Sequence, residues 1–255
     1  MKTPNVVDLP DAQHHVGRVH DQLRSAILTG EIPAGVTTSQ AELAERLSAG
    51  RTPLREALRM LQHEGLVIGE PNRRVKIADL SSDDAEELYV MRIALEVVAT
   101  RITVSLLTQH DFADLEGYLA KMDHYMRIDD HIGWTVPHHA FHRRLVSGAG
   151  ERVLAEIEQL SDHAERYRLR FALTTVPWSQ RSAEHREISE AAAAGDGELT
   201  AQLLARHYAG SAMMIFARLD PERKLDRLRT TIQTVASGAE AILSVGFRSS
   251  APPHD

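Results

Sequence analysis

Between His15 and Ala78 the apolar positions fall into three helical runs and one pair of short β-prone runs. Val19, Leu23 and Ile27 recur at helical spacing, and Gly30 stops that run. Ala41, Leu43, Ala44 and Leu47 follow Ser39, which is placed to cap a helix of about two turns. Leu54, Ala57, Leu58 and Leu61 occupy positions i, i+3, i+4 and i+7, the stripe by which a helix lies on a small core. Arg51, Arg55 and Arg59 stand four apart on a different face, so three guanidinium groups line one side. Pro53 falls in the first turn, and Gly65 where a left-handed residue ends a helix. Leu66-Val67-Ile68-Gly69 and Val75-Lys76-Ile77-Ala78 then flank a Pro71-Asn72 turn, which predicts a hairpin with Arg73 and Arg74 at its tip. Two short helices joined by Ser48-Ala49-Gly50, with that hairpin behind them, predict a winged helix-turn-helix. Its arginines would face phosphates or guanine edges.

Asp79-Leu80-Ser81-Ser82 reads as a boundary, and Ser81 with Asp84 fits a capping pair. A long helix follows with Leu88, Met91, Leu95, Val98 and Ile102 on one face. Further helical runs are predicted over 111–127, 133–147, 152–173, 179–194, 198–217 and 221–244. With no alternating pattern among them, residues 81–246 predict an all-α antiparallel bundle. The expected fold is mainly α: a winged helix-turn-helix at 15–78, then this bundle, with flexible tails at 1–14 and 247–255.

His138 and His142 project from one helical face, while His185 and His207 each lie beside the apolar stripe of their own helix. Three inward-facing segments carrying four imidazoles make a metal site in the bundle core a candidate. His139 points about 100° away and is left out.

Charge sharpens the division. The formal net charge is −7, yet residues 15–78 carry nine Lys/Arg against seven acids, so the remainder is the acidic part. A locally basic module on an acidic body suits directed rather than non-specific DNA binding. The chain has no cysteine, which excludes disulfides, thiol nucleophiles and thiolate metal ligands. No apolar run approaches a bilayer span and the start has no signal-peptide h-region, so a cytoplasmic protein is expected.

Residues 15–78 resemble the winged helix-turn-helix of the GntR family of bacterial transcriptional regulators. The likeness rests on Leu23-Arg-Ser-Ala-Ile-Leu-Thr-Gly30, Ala41-Glu-Leu-Ala-Glu-Arg-Leu47, Arg51-Thr-Pro-Leu-Arg-Glu-Ala-Leu58, Glu64-Gly-Leu66 and Pro71-Asn-Arg73. It implies operator contacts by Arg51, Thr52 and Arg55; Arg73 and Arg74 of the wing are expected beside them, on a palindrome read by a homodimer. In two places the sequence departs from the family. Ser48-Ala49-Gly50 replaces the usual Gly-Val-Ser, and Arg74 stands where the wing usually has a glycine.

Residues 81–246 resemble the FadR-type effector domain of these regulators, called FCD. That resemblance implies a divalent metal on His142, His185 and His207, with His138 where an aspartate is usual. Zn, Ni or Cu would suit four imidazoles. Four neutral imidazoles leave the site at +2 instead of +1, which favours an anionic effector, expected to be an organic acid. The family's arginine matching Arg92 often holds an effector carboxylate. An ion pair with Glu96, four residues on, is the other role open to Arg92. Arg166, Arg168, Arg170 and Arg181 cannot be ranked from sequence. Two other readings are a metal-free acyl-ligand sensor of the same family and a metal-dependent helical hydrolase suggested by His110-Asp111. No second supporting His/Asp pair, nucleophile triad or nucleotide loop accompanies the latter, so no enzyme is expected.

Overall fold

The computed structural model describes residues 10–172, 178–237 and 239, in two units divided after Leu80. The first unit runs α1 (Pro10–Leu28), β1 (Thr37–Ser39), α2 (Gln40–Arg46), α3 (Arg51–His63), β2 (Val67–Glu70) and β3 (Arg74–Ile77). Helix α1 begins at Pro10, so 10–14 are helical rather than tail; proline is well placed in a first turn, where its missing N–H has no partner to lose. The expected tails at 1–9 and 247–255 lie outside the described residues.

The sheet has the order β1-β3-β2, antiparallel throughout, with Thr38 opposite Val75 and Gly69 opposite Val75 on the other side. The hairpin was legible in the sequence. The three-residue strand β1 was not, being too short to show a period. Leu23, Leu54, Leu58, Leu61, Leu66 and Ile77 form the core of this unit. Ser39 and Glu42 make a reciprocal capping box at the start of α2. Gly65, at φ +73°, closes α3 while Leu66 N–H donates to the Leu61 carbonyl at 2.9 Å, a Schellman motif. The end of α2 has the same motif, with Ala49 N–H donating to Ala44 and Ser48 N–H to Glu45. There the left-handed position falls to Ser48, at φ +48°.

The second unit is helical: α4 (Ser82–Val104), α5 (Gln109–Arg127), α6 (His131–Leu145), α7 (Glu151–Tyr167), α8 (Trp178–Ala193), α9 (Gly197–Leu219) and α10 (Asp226–Val235). A 3-10 turn at Ser147–Ala149 precedes α7, and one π turn at Arg168–Ala172 follows it. Helix α4 packs on α7, α9 and α10, while α5 packs on α6 and α8. Helix α10 is shorter than the expected 221–244. Arg223 ties the preceding connection to Asp83 and Glu86 of α4, and helix resumes only at Asp226; most of the segment beyond 237 is outside the described residues.

The apolar stripe of α4 is largely its outer face. Met91, Val98 and Ile102 are 49%, 47% and 48% exposed, whereas Tyr89, Arg92, Ile93, Glu96 and Thr100 point inward. Helix α6 is the reverse: Trp134, Pro137, His138, Phe141, His142 and Leu145 form one buried stripe at helical spacing, with two imidazoles inside it.

Candidate functional site

On the first unit, Leu54, Ala57, Leu58 and Leu61 seat α3 on the core, leaving Arg51, Thr52, Arg55 and Arg59 exposed. Arg59 is held by Glu56 at 3.1 Å, and Arg55 lies 3.7 Å from the same carboxylate. Gly50 is the N-cap of α3 and provides no side-chain acceptor to its first turn. At the wing, Asn72 and Arg73 have φ +59° and +58°, with Arg74 N–H donating to the Pro71 carbonyl at 3.3 Å. Both left-handed residues lie in the three-residue loop, Pro71, Asn72 and Arg73, between the paired ends Glu70 and Arg74. Arg73 therefore stands at the tip, and Arg74, exposed, opens β3.

In the second unit α6, α8 and α9 bring His138, His142, His185 and His207 together. All four are buried, with one ligand-capable atom from each lying within 4.8 Å of the others. His142 Nε2 is 3.1 Å from His138 Nε2 and 3.3 Å from His185 Nε2. Nitrogens about 2.0–2.1 Å from a tetrahedral metal would stand roughly 3.3–3.4 Å apart, so the donor set fits a first-row divalent ion. Burial, then the neighbouring imidazoles, holds His138 and His142 well below the ordinary histidine range, so both rings are neutral and able to ligate.

Residues 16–77 match the family described as bacterial regulatory proteins, gntR family, and residues 87–210 match the FCD domain. An HTH-type transcriptional regulator from the TAR-I ttuE-ttuC′ intergenic region of Agrobacterium vitis is 33% identical over 147 residues, spanning 55% of this chain and 86% of that protein. This chain belongs to the GntR family. The Nta operon transcriptional regulator of Aminobacter aminovorans is 30% identical over 154 residues, 60% of this chain and 70% of that one. The structure of E. coli McbR/YncC matches the fold with a TM-score of 0.71 at 21% identity, covering 80% of this chain and 97% of that chain. The protein is thus a DNA-binding transcriptional regulator of the GntR family with an FCD effector domain, and its relatives are regulators rather than enzymes. Asp111, half of the dipeptide that suggested a hydrolase, accepts from Thr108 N–H at 2.8 Å to cap α5 and pairs with Arg144 at 2.8 Å.

Around the imidazoles of this GntR regulator lies a shell that sequence reasoning missed. Tyr208 Oη is 2.5 Å from Glu96 Oε2 and 3.1 Å from His142 Nδ1. Burial and the adjacent carboxylate hold the Tyr208 hydroxyl well above its ordinary range, so it keeps its single proton and donates it to Glu96. Its oxygen then accepts from His142 Nδ1–H, which leaves Nε2 as the bare nitrogen facing the other rings. His207 Nδ1 likewise donates to Glu184 at 2.8 Å. Arg92 Nε donates to Glu96 at 2.9 Å, and its guanidinium lies 4.2 Å over the Tyr208 ring. Arg92 forms the ion pair with Glu96 that the sequence allowed. None of these carboxylates and hydroxyls forms a motif, because their partners are up to 112 residues away.

On the other side of the cluster, Trp134 stacks on His138 at 4.2 Å. His139, half-buried, lies 3.4 Å from Glu165, whose carboxylate Arg168 holds far below the usual range despite burial.

Proposed function

We propose that the FCD domain of this regulator binds one divalent metal through His138, His142, His185 and His207, with Zn favoured and Ni or Cu suitable. The observation that carries this is the convergence of four buried imidazoles, with two of their outer nitrogens fixed by Glu96–Tyr208 and by Glu184. The ion would supply a +2 charge that four neutral ligands leave uncompensated. That charge suits a small organic acid as the effector modulating operator affinity. A metal-free acyl sensor has no use for four convergent imidazoles.

The reading head uses Arg51, Thr52 and Arg55 from α3 for base edges and phosphates, with Arg73 and Arg74 of the wing on the backbone. A homodimer on a palindromic operator follows from the exposed stripe on α4. Exposed Met91, Val98 and Ile102, with half-buried Leu95 between them, repeat at the four-three spacing of a helix seam, which suits the same helix of a second copy.

Metal analysis of purified protein tests the first part. About one ion per chain is expected, with its loss in His142→Ala; a wild type that takes up no Zn, Ni or Cu ends the proposal. Selection from random duplexes tests the second, and recovery of no preferred palindrome in modest salt would end it. In Arg55→Ala, affinity for the selected duplex should fall by about 1–3 kcal/mol.

A further inference from the structure

Among the described residues, a buried cation with an unfilled donor is Arg168, at the junction of α7 and the π turn. It is 6% exposed. Its Nε donates to Glu165 at 2.6 Å and its Nη2 to Thr135 Oγ1 at 2.9 Å, with a further contact from Nη2 to Glu165. The guanidinium carbon lies 4.9 Å over the Trp134 ring, the ring that stacks on His138. Nη1 is shielded from solvent and meets no hydrogen-bond partner among the described residues. A charged donor buried without an acceptor is costly, and single-turn π segments such as Arg168–Ala172 recur at functional sites.

Glu165 connects this group to the imidazoles, since its carboxylate and the ring nitrogens of His138 and His139 lie within 4.8 Å of one another. The guanidinium is therefore held by Glu165, Thr135 and Trp134 beside the cluster, with both Nη1 hydrogens uncommitted. Arg92, by contrast, is engaged by Glu96 and lies over Tyr208.

We propose that Arg168 Nη1–H receives one carboxylate oxygen of a small organic acid bound beside the four-histidine cluster. The contact is end-on through a single oxygen, because Nε and Nη2 are already committed. Glu165, bonded to the same guanidinium, repels a second negative charge at that point, so a carboxylate is preferred over a phosphate dianion. This inference rests on the proposal that the helical unit is the effector site, and it names the residue that reads the acid.

Calorimetry on the full chain tests it, with citrate, malate, acetate and inorganic phosphate titrated into zinc-reconstituted protein. The variants are Arg168→Lys and the double variant Glu165→Gln/Arg168→Met, which removes both partners and strands no buried charge. At least one carboxylate should bind the wild type more tightly than phosphate. Both variants should weaken that carboxylate at least tenfold, with zinc stoichiometry and circular dichroism unchanged. Binding in the double variant within twofold of wild type, a preference for phosphate, or no carboxylate bound by the wild type each overturns the assignment. Repetition on chelator-treated protein separates it from the metal reading: carboxylate binding that persists and still needs Arg168 upholds the anchor while removing the ion from effector recognition.

Discussion

Replacing Tyr208 with phenylalanine removes one oxygen from the centre of the helical unit and fills the same space. That oxygen donates to Glu96 and accepts from His142, and both partners are buried. Losing a hydrogen bond to a carboxylate costs about 1.5–3 kcal/mol, and leaving the His142 Nδ1–H without an acceptor adds on the order of 1–3 kcal/mol. Arg92 stays on Glu96 and softens the first term, so the net loss should be about 2–4 kcal/mol in urea unfolding of the metal-free protein. With its outer hydrogen bond gone, the His142 ring is free to rotate or change tautomer. Metal affinity in a chelator competition should then fall roughly 10–100-fold. A Tyr208→Phe protein within about 0.5 kcal/mol of wild type, with zinc affinity unchanged within twofold, would refute the relay from Glu96 to the imidazole.

Ser48→Gly should stabilise the DNA-binding unit by about 0.5–1 kcal/mol in thermal or urea unfolding, since a left-handed C′ position favours glycine. Gly50→Ser should gain a few tenths of a kcal/mol as an N-cap and tighten operator binding, because Gly50 already has the extended backbone that a capping serine takes. Val98→Asp, on the exposed stripe of α4, should shift the protein from dimer to monomer in analytical ultracentrifugation while leaving metal content intact. The Glu165 carboxyl, held low by Arg168, contributes stability that is complete above about pH 4.5 and is lost as pH falls below it, at up to ~1.4 kcal/mol per pH unit. Unfolding followed from pH 6 to 3 should show a shallower acid decline in Glu165→Gln/Arg168→Met than in wild type.

The DNA-binding unit was legible because each of its elements has local punctuation: a capping box at Ser39, a glycine at 65, a Pro-Asn turn at 71. The four histidines were legible from helical spacing together with a family register. What surrounds them was not. An apolar period identified α4, but its inward face carries Arg92, Glu96 and Thr100; Arg92 pairs with Glu96 along the same helix, and Glu96 pairs across the bundle with Tyr208. Hydropathy cannot see a pairing between Glu96 and Tyr208, nor that Met91 and Val98 stay exposed. Arg166, Arg168 and Arg170 are equivalent as letters; the fold leaves Arg170 exposed and buries Arg168 against Trp134, Thr135 and Glu165.

The wing turn uses no glycine at either left-handed position. Asparagine tolerates that backbone, while an arginine held there is strained, and the strain is met when the domain folds rather than when it docks. A loop so shaped in advance has little freedom left to surrender on meeting a duplex. In the proposed complex the Arg73 guanidinium would reach the duplex on a stiff mount, which would favour tight docking by reducing what must be ordered at contact.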